Sequence, residues 1–221
     1  MAQILTIKSG RAQQLTFSDG QTLETAIRKT PVVRVEIDET GIIGNEVSLK
    51  AHHGGVDKAL FFMAEQSIAA LNALSGQAVD YRETAVYGEN FVVSEWDESH
   101  ICVGDRYRIG SCLVEISQPR RPCSRLSKNS GWSEMQKTVF QHGLTGWYAR
   151  VVEGGEIHSG DTLELQSRPY PQWTIKRLNA LLSGECNAFV IGKALACELL
   201  AAAFKRALEG KLQGGSGMVA G

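Results

Sequence analysis

Tyr107-Arg108-Ile109-Gly110-Ser111-Cys112-Leu113-Val114-Glu115-Ile116 alternates apolar and polar side chains before a glycine–serine pair and again at Val114-Glu115-Ile116 beyond it. A period of two puts successive side chains on opposite faces of a strand, and Gly-Ser in the middle is turn chemistry. The stretch therefore reads as two short strands parted by a turn. The same texture spreads outward. Upstream are Ile4-Leu5-Thr6-Ile7, then Val32-Val33-Arg34-Val35-Glu36-Ile37 with turn signals at Gly41 and Gly44, then Phe91-Val92-Val93. Downstream, Thr162-Leu163-Glu164-Leu165 follows Gly160-Asp161. Short β-branched runs between Gly and Asp turns predict a barrel or sandwich, not a series of βαβ units. Glycine supplies 23 of 221 residues, above the usual ~7%, which suits many tight turns.

Two helices interrupt this β region. Gln66 to Leu74 places Ile68, Leu71 and Leu74 on one face, with Gly76 as a stop. Ser133 to His142 groups Met135, Val139 and Phe140 ahead of Gly143. Beyond Arg168-Pro169-Tyr170-Pro171 the texture changes, because two prolines bar a continuous helix and mark a linker. Three helical segments follow: one through Leu178, Leu181 and Leu182 ending at Gly184, one over Asn187 to Cys197, and one over Leu199 to Leu208 ending at Gly210. In the last, Leu200, Ala203, Phe204 and Ala207 form an apolar stripe at helical spacing. The expected organisation is a β domain over 1–168, a three-helix domain over 169–212 and a flexible tail over 213–221.

The charge balance, 23 basic against 24 acidic side chains, excludes a strongly basic nucleic-acid binder and an acidic disordered chain. Basic residues of the C-terminal helices are interrupted by Glu185, Glu198 and Glu209, so they read as a solvated face. No apolar run reaches the ~18 residues of a membrane span, and the N-terminus lacks a basic-then-apolar signal pattern. The expectation is a cytoplasmic protein without membrane or nucleic-acid partners. Five cysteines, 102, 112, 123, 186 and 197, are an odd number without C-x-x-C spacing, which argues against a disulfide framework and a structural zinc site.

One cysteine has different neighbours. Ser117 to Lys128 holds Arg120, Arg121, Arg125 and Lys128, no acid, and Cys123 between Pro122 and Ser124. Neighbouring cations favour the thiolate, so Cys123 is the candidate nucleophile or soft-metal ligand; the plainer alternative is a solvated basic loop. His52-His53-Gly54-Gly55-Val56-Asp57-Lys58 offers paired glycines that can form an anion-binding nest, with His53 and Lys58 as further donors; its alternative is a hairpin turn. Tyr87-Gly88-Glu89-Asn90-Phe91 offers an amide able to read a heterocycle edge, or a turn into a strand.

In combination, HHGGVDKAL (52–60), VYGENF (86–91), VGDRYRIGSCLVEISQPRRPC (103–123), GLTGWYARVVEGG (143–155) and SGDTLEL (159–165) resemble, in order and spacing, the MOSC domain, the C-terminal domain of molybdenum-cofactor sulfurases. The resemblance spans roughly 28–210, with its core over 28–165, and is narrowest to stand-alone bacterial YiiM-like proteins with a three-helix appendage. It implies a mainly β, α+β fold: an antiparallel MOSC barrel with short inserted helices. It also implies a molybdenum–molybdopterin cofactor, no flavin, haem or pyridoxal phosphate of its own, and Cys123 as metal ligand. Arg120, Arg121 and Arg125 would hold phosphate and metal–oxo charge. Gly54, Gly55 and Lys58 would form a second cradle, Glu89 and Asn90 would orient the pterin, and His53 would donate a proton.

The implied activity is reduction of N-hydroxylated compounds such as hydroxylaminopurine-type base analogues, with electrons from an external flavin-containing reductase. A non-catalytic carrier of the cofactor, or of sulfur on a Cys123 persulfide, is the second reading. A Cys–His hydrolase or transferase is the third. Larger relatives enclose the cofactor with an extra N-terminal domain; here the resemblance implies either looser retention of the cofactor or a site completed by a homodimer partner.

Overall fold

The protein is described by a computed structural model covering residues 1–17, 19–48, 54–184 and 187–214. The first strands are β1 (Ile4–Ser9), β2 (Gln13–Thr16), β3 (Thr22–Thr25), β4 (Thr30–Val32), β5 (Arg34–Asp38) and β6 (Gly41–Ile42). A 3-10 turn (Val56–Lys58) leads into β7 (Leu60–Ala64) and α1 (Glu65–Ser75). After β8 (Phe91–Val93) come β9 (Arg106–Ile109) and β10 (Cys112–Pro119), then α2 (Ser124–Ser130) and α3 (Met135–His142). The strands β11 (Trp147–Glu153), β12 (Gly155–His158) and β13 (Glu164–Ser167) precede α4 (Ile175–Ser183), α5 (Ala188–Leu195) and α6 (Ala202–Leu212).

The stretch from Tyr107 to Ile116 folds as read. Strands β9 and β10 pair antiparallel, Cys112 opposite Ile109 and Val114 opposite Tyr107, around Gly110 in the left-handed region. Tyr107, Ile109, Cys112 and Val114 are buried while Arg106 is exposed and Arg108 half-buried, so the alternation sets the inner face. This hairpin sits within an eight-stranded sheet ordered β13-β9-β10-β11-β7-β8-β1-β4, flanked by β12-β5-β6 and β2-β3. The large sheet curls into a half-barrel, and the α+β class is as expected.

The barrel is mixed, not wholly antiparallel, because β7 and β8 run parallel. Strand β7, Leu60-Phe61-Phe62-Met63-Ala64, is buried at every position. It shows no alternation because both of its faces are covered, the usual texture of a central strand. Phe62 stacks on Phe91 at 4.8 Å between ring centroids and lies parallel to Trp147 at 6.2 Å.

Helix α1 is one residue longer at each end than its apolar spacing predicts and stops at Gly76, with φ 69°. Helix α3 begins at Met135 and stops at Gly143. Thr174 and Asn187 cap α4 and α5, their side chains accepting from the backbone N–H of Arg177 and Val190. Gly210 does not end α6, which runs on to Leu212. A Cβ at Gly210 would meet open space, and a glycine at such a site costs a helix only about 1 kcal/mol.

Leu178, Leu182, Ile191, Phe204 and Leu208 of the C-terminal helices pack in the same apolar cluster as Ile4, Tyr107, Val114 and Trp147. A second cluster joins Leu71, Leu126, Met135 and Val139, under α1 to α3, to Phe61, Tyr87 and Tyr148. Those three aromatics are also the walls of the site described next.

Candidate functional site

Strand β10 delivers the densest part of the sequence signal to one place. Its last residues lead through Arg120 and Pro122 to Cys123, which is extended (φ −113°, ψ 168°) and stands directly before α2. Arg120 is fixed from several sides. Its N–H donates to Gly146 O at 3.1 Å, its Nη2 donates to Tyr87 O at 3.3 Å, and its guanidinium lies over the Phe61 ring, 5.4 Å from the centroid. Gly146 has φ 65°, and a Cβ there would collide with Phe62 O and the Met63 sulfur. Only glycine lets the chain pass close enough to meet Arg120.

These residues open into a cleft with about 640 Å³ of atom-free space, including its solvent-open mouth. Cys123, Arg120, Arg125, Lys58 and Asn90 line it, as do Lys29, Phe61, Tyr87 and Tyr148. On the far wall are Asn45, Glu46, Val47 and Ser48. Arg125 ties the walls together, its Nη1 donating to Glu24 O at 2.9 Å and Ser48 Oγ at 3.1 Å. Helix α2 is further moored to the β2–β3 hairpin by Lys128, which bonds Asp19 at 2.7 Å and Gln21 at 2.6 Å.

The charge at the floor does not balance. Lys8 and Glu89, both 1% exposed, form an ion pair at 2.5 Å, and the other Glu89 oxygen accepts from Tyr87 N–H at 3.0 Å. Lys29 and Arg120, each 6% exposed, add two buried cations. Among the described residues Glu89 is the only carboxylate paired with any of the three. Burying a charge costs several kcal/mol unless it is compensated. Lys29 Nζ donates to Gly88 O at 2.6 Å, a carbonyl turned toward it by the Gly88 φ of 86°. Burial lowers the Lys29 pKa to about 8, with Glu89 opposing and Lys8 and Arg120 adding to the shift.

Tyr87, 1% exposed, lines the cleft with a hydroxyl that has no hydrogen-bond partner among the described residues. Its pKa is raised by burial first and Glu89 second. Burial also raises the Tyr148 phenol, against the pull of Arg120.

The residues singled out by sequence are placed unevenly. Cys123, Arg120, Arg125, Lys58 and Asn90 converge. Asn90 is already half committed: its Oδ1 accepts from Phe61 N–H at 3.2 Å and its Nδ2 donates to Lys8 O at 3.2 Å, bridging β7 and β1. One lone pair and one N–H remain for a ligand. Glu89 lies beneath the cleft with Lys8 and is not part of its lining. Gly54, Gly55 and Arg121 are also outside the lining, which begins at Lys58 after the 3-10 turn. Arg121 is close enough to Lys58 to lower its pKa, after burial. His52 and His53 lie outside the described residues, as does Cys186.

Lys29, Tyr87 and Tyr148 are the residues that sequence reasoning missed. Tyr87 stood within a singled-out motif, whereas Lys29 has no local signal, following Arg28 as one cation among many. The other described thiols are set apart from the cleft. Cys102, Cys112 and Cys197 are buried with pKa values raised by burial, that of Cys112 to about 11.

The sequence model of the MOSC domain matches residues 50–164. The chain belongs to the MOSC family. The Bacillus subtilis protein YflK, uncharacterised, is 34% identical over 166 residues, which is 75% of this chain and 73% of YflK. A Gibberella moniliformis protein named a reductase is 28% identical over 180 residues, or 81% of this chain, but the chain spans only 32% of that protein. The crystal structure of YiiM from Geobacillus stearothermophilus matches with a TM-score of 0.79 at 26% identity, covering 96% of this chain and 100% of that one. Membership in the MOSC family makes this a molybdenum-cofactor-associated protein.

The cleft fits such a group on its own chemistry. A pterin cofactor carries phosphate, and Lys29, Lys58, Arg120 and Arg125 supply four cations against Glu46 in the lining. Molybdenum is thiophilic, and one thiol, Cys123, is at hand. Among the described residues no three His, Cys, Asp or Glu side chains gather. The set therefore suits a metal that brings ligands and negative charge with it, not a bare cation in a protein cage. Among the described residues no helix is long and apolar enough to cross a membrane.

Proposed function

We propose that the cleft binds the molybdenum–molybdopterin cofactor and that the protein is a reductase of N-hydroxylated compounds, hydroxylaminopurine-type base analogues among them. The observation that carries this reading is the meeting in a single cleft of one thiol with four cations, two of which, Lys29 and Arg120, are buried with no paired carboxylate among the described residues. Arg120, Arg125 and Lys58 hold phosphate and metal–oxo charge, and bidentate arginine is the side chain best shaped for this. Cys123 supplies the thiolate that anchors the metal. Asn90 presents its spare N–H and lone pair to the pterin, between the aromatic walls of Phe61 and Tyr148. When bound, the cofactor supplies the two-electron chemistry that removes oxygen from nitrogen. The protein positions the substrate and delivers protons. Electrons come from a separate flavin-containing reductase, in a cytoplasm that keeps the thiol reduced.

The test is expression in a host that makes the cofactor, anaerobic purification, and measurement of molybdenum and pterin. Wild type is expected to carry both, and Cys123→Ala to lose at least about tenfold in metal content, as when a ligand is removed. Wild type without molybdenum, or an alanine variant with undiminished metal, sinks the assignment. Metal retained with no turnover of hydroxylaminopurine by wild type and a flavoprotein reductase would make the protein a carrier instead.

A further inference from the structure

Reduction of a hydroxylamine consumes protons as well as electrons. In R–NHOH + 2e⁻ + 2H⁺ → R–NH2 + H2O the N–O bond breaks, one proton goes to nitrogen, and one goes to the departing oxygen. Hydroxide is a poor leaving group near neutral pH, so an acid held in the site accelerates that cleavage. His53, the donor expected from the sequence, lies outside the described residues.

Within the cleft, Lys29 has the required properties. Its ammonium carries three N–H donors. One donates to Gly88 O at 2.6 Å, and no further hydrogen bond of Nζ is made among the described residues. No carboxylate pairs with it either, since the neighbouring Glu89 is engaged by Lys8. The groups facing it are Glu89, Lys8 and Arg120, with the Tyr87 phenol in the same wall. Two cations against one anion, in a place water barely reaches, make loss of its proton easy.

A lysine whose role was packing would be expected to extend its charge into solvent along its alkyl stem. Lys29 instead keeps its charge inside the molecule, 6% exposed, in the lining of the cleft that holds Cys123. Tyr87, a neighbour of Gly88 in the chain and part of the same lining, adds the second oddity, a buried hydroxyl with no partner among the described residues.

We propose that Lys29 is the acid that protonates the departing oxygen of the N-hydroxylated substrate, with the Tyr87 hydroxyl as a hydrogen-bond donor that orients it. The inference rests on the reductase reading. The ammonium gives up one proton to form water, the electron pair arrives from the flavin-containing reductase, and bulk solvent reprotonates the neutral amine and supplies the second proton. Because burial holds Lys29 near pKa 8, the acid form dominates at neutral pH and is lost above it.

The experiment compares wild type, Lys29→Met, Lys29→Arg and Tyr87→Phe, each loaded with cofactor and assayed for molybdenum, pterin and turnover across pH 6 to about 10. Wild-type turnover should fall as pH rises through about 8. Lys29→Met should keep its cofactor and lose turnover about 100-fold, within the range of a general acid. Lys29→Arg, with equal charge but a proton it does not release, should fail to rescue turnover. Tyr87→Phe should lose less and keep the same pH limb.

A second readout needs neither cofactor nor turnover. A lysine whose pKa is depressed on folding binds fewer protons in the native state, so stability should rise with pH between about 8 and 10.5. That rise should be absent from Lys29→Met, whose unfolding midpoint at pH 7 should exceed that of wild type. If Lys29→Met loses molybdenum and pterin, Lys29 is a cofactor ligand and the acid role is overturned. It is overturned equally if Lys29→Arg retains activity with an unchanged pH profile, or if stability shows no difference in pH dependence. Wild type that binds no cofactor would remove the reductase reading and the acid role together. Active wild type with active lysine variants removes the acid role alone.

Discussion

Two buried charge clusters in this molecule use the same kinds of residue to opposite ends. Around Asp105, which is fully buried, everything is balanced. Arg168 binds both carboxylate oxygens at 2.9 and 2.7 Å, and Tyr107 OH and the Cys102 N–H donate to Oδ2, each at 2.9 Å. Charge meets charge and each donor has an acceptor, with the result that β9, the turn at Cys102 and the linker before Pro169 are locked together. At the cleft floor, Glu89 is the one carboxylate paired with Lys8, Lys29 or Arg120 among the described residues, and the Tyr87 hydroxyl has no hydrogen-bond partner among them. The first cluster completes itself, whereas the second leaves charge over among the described residues. Burial of charge is therefore not in itself a sign of function; burial of charge left over is.

The sharpest way to break this contrast is to unbalance the balanced cluster. Asp105→Ala strands Arg168 and the Tyr107 hydroxyl, and should cost about 3–5 kcal/mol, read as a lower urea midpoint at unchanged slope. Loss below about 1 kcal/mol would show that the Asp105 network contributes little beyond its packing.

Next in size is the response to an anion. Phosphate at about ten times its dissociation constant should stabilise wild type by about 1.4 kcal/mol, seen as a rise in Tm. Arg120→Met should abolish most of that rise. An equal rise in both proteins would place the anion elsewhere and remove the cleft's excess charge as its cause.

The smallest effect separates the thiols. At pH 8, Cys123 in the cleft should react with iodoacetamide before Cys112, whose thiol burial pushes up to about 11. Mass mapping of the alkylated peptides would show the order, and earlier labelling of Cys112 would contradict it.

The legible parts of the fold were those whose signal is local. Alternation around Gly110-Ser111 gave β9 and β10, and glycines at 76 and 143 gave the ends of two helices. Strand β7 was illegible because a strand buried on both faces has no alternation to show. Helix α2 was hidden inside the basic loop, since Ser124-Arg125-Leu126-Ser127-Lys128 buries only Leu126 and so carries no stripe. At the site, the motif around Cys123 was readable, and Arg120, Arg125, Lys58 and Asn90 proved to be its neighbours. Glu89 carried a motif signal for a different reason: its place is in the ion pair below the cleft.

The β character of the chain and its family were already written in the sequence, because periodicity, turn chemistry and the order of short motifs lie in neighbouring residues. Tertiary structure decided which of the chain's cations is left without a counter-charge. Lys8, Lys29, Glu89 and Arg120 come from separate parts of the chain, and the balance among them exists only after folding has removed water from all four.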